Sequence, residues 1–287
     1  MSLTVRKPEI ASSDAVVNWS PVPEFAHINN GASVLIPYVE HYLNNVMNEV
    51  RTHYCDDDPA LKEEIDQFIR QETVHARYHI AFNKQMFDAG YDGLKPLIDD
   101  TVRHLQDMRK RRSLAFNIAY CAGFETTATF SAKYALEACD PFFKGADSYG
   151  ANLFQWHVAE EFEHRATCHR AFHAVSGSYA IRMAGLVYSF WHINKIFAEA
   201  GEIVFAKYRE GMTAAERKRS KRVQRRLIVR QMAYLLPRML RLVSPFYDPD
   251  KLPVTDNIRV ALEFFKSREP IVASFADVRD AQAMSVH

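Results

Sequence analysis

Two copies of the motif Glu-x-x-His carry the residue types that could do chemistry in this chain: Glu72 with His75, and Glu161 with His164. Residues three positions apart project from one face of an α-helix, so each motif can hold a metal ion with one carboxylate and one imidazole. One such motif alone is common on a solvated helix face, where it forms only intrahelical hydrogen bonds. Metal binding becomes the stronger interpretation when further ligands accompany both motifs.

Two isolated glutamates supply those further ligands, Glu40 before the first motif and Glu125 before the second. Glu125 is the only charged residue between Arg112 and Lys133. A carboxylate in an apolar helix costs several kcal/mol unless it is paired or bound to a metal. In a dinuclear carboxylate site of a helix bundle, two helices each supply one Glu and two others each supply Glu-x-x-His. The sequence therefore predicts a site for two metal ions.

The spacing of these residues predicts the elements that position them. Glu72 follows Glu40 by 32 residues and Glu161 follows Glu125 by 36, each near the span of two antiparallel helices and a turn. We expect an all-α fold with a ferritin-like four-helix bundle core and additional C-terminal helices. The expected organisation is an irregular N-terminal arm that wraps the bundle (1–30), the four-helix dimetal bundle (31–176), and C-terminal helices packed on the bundle in the same domain (177–287).

Capping and breaking residues set the predicted helix ends. Asp58 and Pro59 form a helix start signal, and glycines or prolines interrupt the apolar runs at later boundaries. The helices predicted on this basis cover residues 32–54, 59–89, 114–136, 148–175 and 179–208.

Helical periodicity adds candidates around the two motifs. His157 lies on the same stripe as Glu161 and His164, which predicts a third protein nitrogen in the site. His79 is either an extra ligand or a hydrogen-bond partner that orients a ligand, and Glu160 could replace Glu161. The residues expected to line an adjacent pocket share the predicted ligand faces and are apolar or small: Ile36, Leu43, Met47, Phe68, Cys121, Ala122 and Ala128.

The donor types indicate which metals would bind. Four carboxylates with two or three imidazoles suit iron or manganese better than structural zinc, which prefers thiolates and four ligands. Two iron ions are the expected cofactor, with manganese or a mixed manganese–iron pair as the alternatives. Cys121 and Cys168 each lie one turn from a predicted ligand, but we interpret both as small core residues.

Composition narrows the class of protein. A formal net charge of +1 over 287 residues gives no global attraction for nucleic acid. The four cysteines show no C-x-x-C spacing, and the N-terminus shows no apolar segment of a secretory signal, so we expect a cytoplasmic protein. Exposed bundle faces often pair, which makes a homodimer the expected oligomer if there is one.

The motifs resemble those of the bacterial family of predicted metal-dependent hydrolases. The resemblance covers roughly Trp19 to the C-terminal helices, and its hallmarks here are Glu40, Gln71-Glu72-x-x-His75 with His79, and Trp156-His157-x-x-Glu160-Glu161-x-Glu163-His164. The His-x-x-x-Glu-x-x-His run is also similar to that of the diiron arylamine N-oxygenases. That second resemblance is confined to the ligand motifs and implies seven metal ligands: Glu40, Glu72, His75, Glu125, His157, Glu161 and His164.

Two functional classes use such a centre differently. In an oxygenase, reduced iron and O2 as cosubstrate would oxidise an apolar or carrier-bound organic substrate, with electrons from an external donor. In a metal-dependent hydrolase, two divalent ions would activate water, and an open polar mouth would be expected. The small apolar residues around Glu125, and the absence of an added acid–base pair in the sequence, favour the oxygenase. Iron storage is a less favoured third class, because storage ferritins have much shorter chains.

A basic stretch follows the long helix predicted over residues 179–208. It includes Arg222, Arg225 and Arg226 and continues into an apolar run. One hypothesis is that it docks an acyl carrier or a membrane surface, in which case the substrate is a lipid or a carrier-bound acyl chain. The other interpretation is a solvated helix face that acidic residues elsewhere balance.

Overall fold

The computed structural model describes residues 3–11, 17–267 and 269–285, and the predicted all-α class is confirmed within these ranges. Their only bridge between extended segments joins Ile10 to Ile271. Eleven α-helices follow one another in these ranges: α1 (Pro23–Tyr54), α2 (Pro59–Asp88), α3 (Lys95–Arg111), α4 (Leu114–Ala138), α5 (Asp140–Phe143), α6 (Ser148–His164), α7 (Thr167–Val175), α8 (Tyr179–Tyr208), α9 (Ala214–Met239), α10 (Asp256–Phe264) and α11 (Phe275–Ser285).

The four helices that carry the predicted ligands pack around a shared interior. Helix α1 contacts α2 and α4, and α6 contacts the same two helices, so the four form a closed ring. Their inward faces are rich in fully buried apolar side chains, which is the usual driving force for helix packing. Helix α8 covers α1 and α4 from outside this ring. No helix in the described ranges has both the length and the apolar character that crossing a bilayer demands.

Local signals account for several helix ends. The side chain of Asp58 accepts a hydrogen bond from the backbone N–H of Leu61 at 2.9 Å, as its predicted N-cap role requires. Helix α1 begins at Pro23, nine residues before the predicted start. Proline is favoured in the first helical turn, and Glu24 there interacts favourably with the helix dipole. The irregular N-terminal arm is therefore shorter than residues 1–30.

The helix predicted over residues 148–175 is divided into two, because α6 ends at His164 and α7 begins at Thr167. Tertiary contacts fix the direction of α7. The hydroxyl of Thr167 donates to Glu64 at 2.6 Å, and Nε of Arg170 donates to the same carboxylate at 2.9 Å. These bonds attach α7 to α2, and no periodicity in the sequence of residues 148–175 could indicate them.

Glycines bring α8 close to α4, the helix that carries Glu125. A Cβ atom placed on Gly185 would lie 2.4 Å from the backbone carbon of Ala119. A Cβ atom on Gly123 would lie 2.8 Å from the Cα atom of Leu186. Both distances are too short for any real side chain, so the two backbones can approach this closely only because both residues are glycine.

We expect the substitution Gly185→Ala to lower the free energy of unfolding by about 1–3 kcal/mol, because the added methyl group must push the α4 backbone aside. Gly201→Ala in the same helix is the matched control, since a Cβ atom there meets nothing within 4 Å. Alanine favours the helix over glycine, so the control should be neutral or stabilising. Urea denaturation of both variants measures the difference, and equal effects of the two substitutions would contradict close packing at Gly185.

Candidate metal centre

Four helices each contribute to one buried cluster of carboxylates and imidazoles. Helix α1 supplies one of the seven predicted ligands, α2 two, α4 one and α6 three. Their donor atoms form two groups, and within each group the atoms lie within 4.8 Å of one another. The first group contains Glu40, His75, His157 and Glu161, and the second contains Glu72, Glu125 and His164.

Two carboxylates lie between the groups. Oε1 of Glu161 is 3.7 Å from Nδ1 of His75 and 3.7 Å from Nδ1 of His164, which belong to different groups. Glu72 has the same relation to the two histidines, because Oε1 is 2.6 Å from Nδ1 of His164 and Oε2 is 3.9 Å from Nδ1 of His75. The two groups are therefore adjacent halves of one site.

Many donor atoms of this site are buried without a hydrogen-bond partner. Both carboxylate oxygens of Glu40, Glu72 and Glu125, Oε2 of Glu161, and Nδ1 of His75 and of His164 have none. Each unpaired buried polar group costs about 1–3 kcal/mol, and charged groups cost more. Oxygen and nitrogen atoms that converge in this way match the ligands that hard or borderline divalent cations take. The donor set fits two metal ions.

The pKa shifts of the glutamates reflect the same crowding. Burial, followed by the charges of neighbouring carboxylates, raises the pKa of Glu40 and of Glu125 well above the ordinary range. Burial also opposes ionisation of Glu72, but the charge of His164 and its contact with Glu72 lower the pKa of Glu72 overall. Glu40 and Glu125 can be ionised beside Glu72 only if cations compensate the charge.

The structure assigns His79 and Glu160 positions outside both ligand groups. Nε2 of His79 is 2.8 Å from Nδ1 of His157, and its other nitrogen is 2.8 Å from the hydroxyl of Ser33. Oε2 of Glu160 is 2.9 Å from Nε2 of His75. Of the two roles predicted for His79, hydrogen bonding to a ligand matches this geometry. Glu161, not Glu160, is the carboxylate that lies in the first group.

Arg6, in the N-terminal arm, connects the outer sides of the two groups. Its guanidinium is buried and donates to Glu160 at 3.0 Å and to Glu163 at 2.8 Å. Gln71 donates to Glu163 at 3.1 Å, and its carbonyl oxygen lies 3.1 Å from Nε2 of His164. Hydrogen bonds thus run without interruption from His75 through Arg6 to His164.

The role of Arg6 was missed in the sequence, because the arm has no periodicity that could indicate an inward-facing residue. Gln71 and Glu163 could have been found, since both lie next to predicted ligands inside the motifs. Nothing in either motif predicts that the two residues share a contact with the arm.

Five of the seven residues predicted to line a pocket are buried. Leu43, Met47, Phe68, Cys121 and Ala122 are buried in one apolar core cluster, whereas Ile36 and Ala128 are partly exposed. The ring of Phe68 lies 4.8 Å from that of His164. Phe68 is therefore adjacent to the centre, and the contact of these residues with a substrate stays a prediction. Cys121 and Cys168 are buried thiols outside both ligand groups.

A family model described as "Predicted metal-dependent hydrolase" matches residues 4–252 of the chain. This match confirms the first of the two resemblances expected from the motifs. It includes Arg6 and all seven predicted ligands. No curated protein and no solved structure matches the chain. The resemblance to diiron arylamine N-oxygenases stays a prediction.

We expect removal of metal by a chelator to lower the melting temperature, and to lower it more at about pH 8 than at about pH 6. In the metal-free protein the pKa values of Glu40 and Glu125 are raised. Burial opposes protonation of His75, but its hydrogen bond to Glu160 and the nearby carboxylate of Glu72 raise its pKa overall.

A group whose pKa is raised in the folded state stabilises that state fully when the pH is below its ordinary pKa, about 4.3 for Glu and 6.5 for His. This contribution is lost as the pH rises through the pKa of the group in the folded state. The lowered pKa of Glu72 acts oppositely, but its contribution is lost only as the pH falls into the acid range. Bound cations keep the ligands deprotonated and remove this dependence. Thermal unfolding with and without metal checks the prediction, which parallel pH profiles would contradict.

The substitution Arg6→Gln should weaken metal binding by about 10- to 100-fold, the usual effect of removing a group that orients metal ligands. Chelator competition measures the affinity, and Arg70→Gln on the exposed face of α2 is the control. Glu160→Gln tests the contact to His75 directly, in case loss of Arg6 releases the arm. Unchanged affinity in both Arg6→Gln and Glu160→Gln would show that the hydrogen-bonded connection has no effect on the metal.

Proposed function

The chain belongs to the family of predicted metal-dependent hydrolases, and from this premise we propose that it is an enzyme whose two ligand groups hold a dinuclear metal centre. The observation that carries the proposal is the set of buried carboxylate and imidazole atoms that converge on one another without forming a hydrogen bond. Four ionised carboxylates balance the charge of two divalent cations, so the loaded site would be close to neutral. A neutral buried site removes most of the desolvation cost that the ligands otherwise carry.

Each half of the centre would be held by residues from different helices. Glu40, His75 and His157 would hold one ion, and Glu125 with His164 would hold the other. Glu72 and Glu161, which lie between the groups, would contact both. Two iron ions are the proposed cofactor, with manganese or a mixed pair as alternatives, because the ligands are oxygen and nitrogen atoms without a thiolate.

Residues outside the groups would set the orientation of the imidazoles. Nε2 of His75 would donate to Glu160, which leaves Nδ1 for the metal. Nε2 of His164 would likewise donate to the carbonyl oxygen of Gln71 and leave its Nδ1 free. Arg6 holds Glu160 in place, so the arm contributes to the geometry of the centre. Metal-binding histidines in proteins usually have such partners, which fix the tautomer and the ring orientation.

The reaction proposed first is hydrolysis, as the family description suggests. Two bound cations would lower the pKa of a water molecule and polarise the substrate oxygen. Among the four ligand carboxylates Glu161 has the most exposed side chain, and its Oε2 atom has no partner. This oxygen can accept the proton of the water. The side chain of His157 is also slightly exposed, so substrate would approach along this edge of α6.

A second candidate is oxidation of an apolar or carrier-bound organic substrate by O2, with an external electron donor. The observation that favours it is the enclosure of the centre. Five of the seven ligands are no more than 1% exposed, and apolar side chains such as Leu43 and Phe68 belong to the surrounding core. O2 is small and apolar and can reach such a site without a polar mouth, which a hydrolytic substrate would require.

One experiment tests the metal centre and separates the two reactions. The chain is loaded with Fe(II), Mn(II) or Zn(II) without oxygen, its metal content is measured, and it is then given either O2 or a panel of ester and amide substrates. We expect about two ions per chain and about half that content in Glu125→Gln, which loses a ligand of the second group. Glu137→Gln is the matched control, because Glu137 lies on the same helix outside both groups.

Hydrolysis that needs metal and is lost in Glu125→Gln would support the first candidate. An oxygen-dependent change in the optical spectrum of the iron form, also lost in that variant, would support the second. A chain that binds no metal under any loading condition would overturn both.

A further inference from the structure

Helix α9 has an exposed stripe that is basic at one end and apolar at the other. Its inner side packs on the protein through the buried side chains of Ser220, Leu227 and Leu235. At 100° per residue, six exposed positions on the opposite side lie within roughly 60° of one another. This stripe consists of Lys218, Arg222, Arg225, Val229, Leu236 and, just after the helix, Leu240.

The basic end is a strong local concentration of charge. Helix α9 contains nine basic residues and one acidic residue, a net charge of +8, whereas the whole chain carries +1. The acidic residue, Glu216, is engaged in the capping box with Thr213 at the helix start. Within the ranges that the structure describes, Lys218, Arg222 and Arg225 form no ion pair and no hydrogen bond. The alternative interpretation is that acidic residues elsewhere balance these charges. No acidic side chain pairs with the three cations of the stripe in the described ranges, so the structure does not support that interpretation here.

The apolar end of the stripe is open to solvent. Leu240 is 73% exposed, and Phe246, which follows shortly after, is 87% exposed. Hydrogen bonds fix the backbone between them, because Tyr179 donates to the carbonyl of Val243 and Arg182 to that of Ser244. Two large apolar side chains are thus held in water on an ordered surface, which is unfavourable unless another surface covers them.

We propose that this face of α9, with Leu240 and Phe246, docks on the surface of an anionic lipid bilayer. Anionic headgroups would lie against Lys218, Arg222 and Arg225, and the apolar side chains would enter the boundary between headgroups and acyl chains. Protruding side chains on a convex helix need no complementary groove in a bilayer, which accommodates them without a fixed shape.

A second copy of the chain fits the stripe poorly. If two stripes were parallel, their cations would face one another. If they were antiparallel, the cations of each copy would lie against the apolar end of the other and lose water without gaining a counter-charge. Neither arrangement compensates the charge, whereas an anionic bilayer does.

Cosedimentation with vesicles tests the proposal and does not depend on the metal centre. The full chain is mixed with vesicles of phosphatidylcholine alone or of phosphatidylcholine with phosphatidylglycerol. We expect binding to the anionic vesicles only, weakened by salt. The triple variant Lys218→Glu, Arg222→Glu, Arg225→Glu should lose at least about 10-fold in binding, because it replaces the three cations of the stripe with anions that the headgroups repel.

A matched control has the same change in net charge at another place. Arg103→Glu, Lys110→Glu, Arg111→Glu alters exposed residues of α3, a helix without extensive contact with α9, and should bind like the unmodified chain. A separate variant, Leu240→Ser with Phe246→Ser, keeps every charge and should still lose binding. Absence of binding to anionic vesicles, or an equal loss in the α3 control, would overturn the proposal.

Discussion

The repulsion among four buried glutamates is the interaction on which the rest of this structure depends. Glu40, Glu72, Glu125 and Glu161 come from four different helices and meet in a space that water hardly reaches. Placing such charges in an apolar interior is costly, and only cations in the same space can compensate it. The helix ring therefore contains an electrostatic cost that bound metal ions would remove. If the site binds metal, binding and folding would be coupled, because a bound ion contributes to the stability of the folded chain.

Hydrogen bonds connect the N-terminal arm and α7 to the helices that carry the predicted ligands. Arg6, in the irregular arm, is far in sequence from α2 and α6, yet it holds Glu160 and Glu163 between those helices. The break after His164 lets α7 turn onto α2, where Glu64 binds it. An irregular segment and a helix break thus lie beside the ligands, and both are held by charged hydrogen bonds. Such bonds weaken if the helices separate and water enters, so we expect the arm and the helix ring to stabilise each other.

The charge on the outside contrasts with that of the interior. The net charge is only +1, but the charges are unevenly distributed. Carboxylates cluster inside the helix ring, and a basic helix lies at the surface. These two regions follow different physical rules. In the interior, low polarisability makes unpaired charge expensive and fixes the partners closely. On α9, water solvates each cation, so the charge remains free to attract a distant anionic surface over about one Debye length, about 8 Å at physiological salt.

The sequence by itself determined the helical class, most ends of the five helices predicted from it, and the types of residue in the centre. These are local properties, because capping residues act within one turn, and the positions of Glu72 and His75 on one face follow from helix geometry alone. The apolar neighbours of Glu125 also reveal a buried carboxylate without any tertiary information. The seven ligands that the structure brings together are those that the motifs and the resemblance indicated, although metal binding by them stays a prediction.

The tertiary structure decided how these residues are combined. The distances between helices determine the division into two groups and place Glu72 and Glu161 between them. The same distances determine the contacts of His79 and Glu160 with ligands. The role of Arg6 and the end of α6 at His164 depend on contacts between residues far apart in the chain. No periodic pattern encodes such contacts, because they arise only when separate helices pack and the energy of each buried polar group is set by its neighbours.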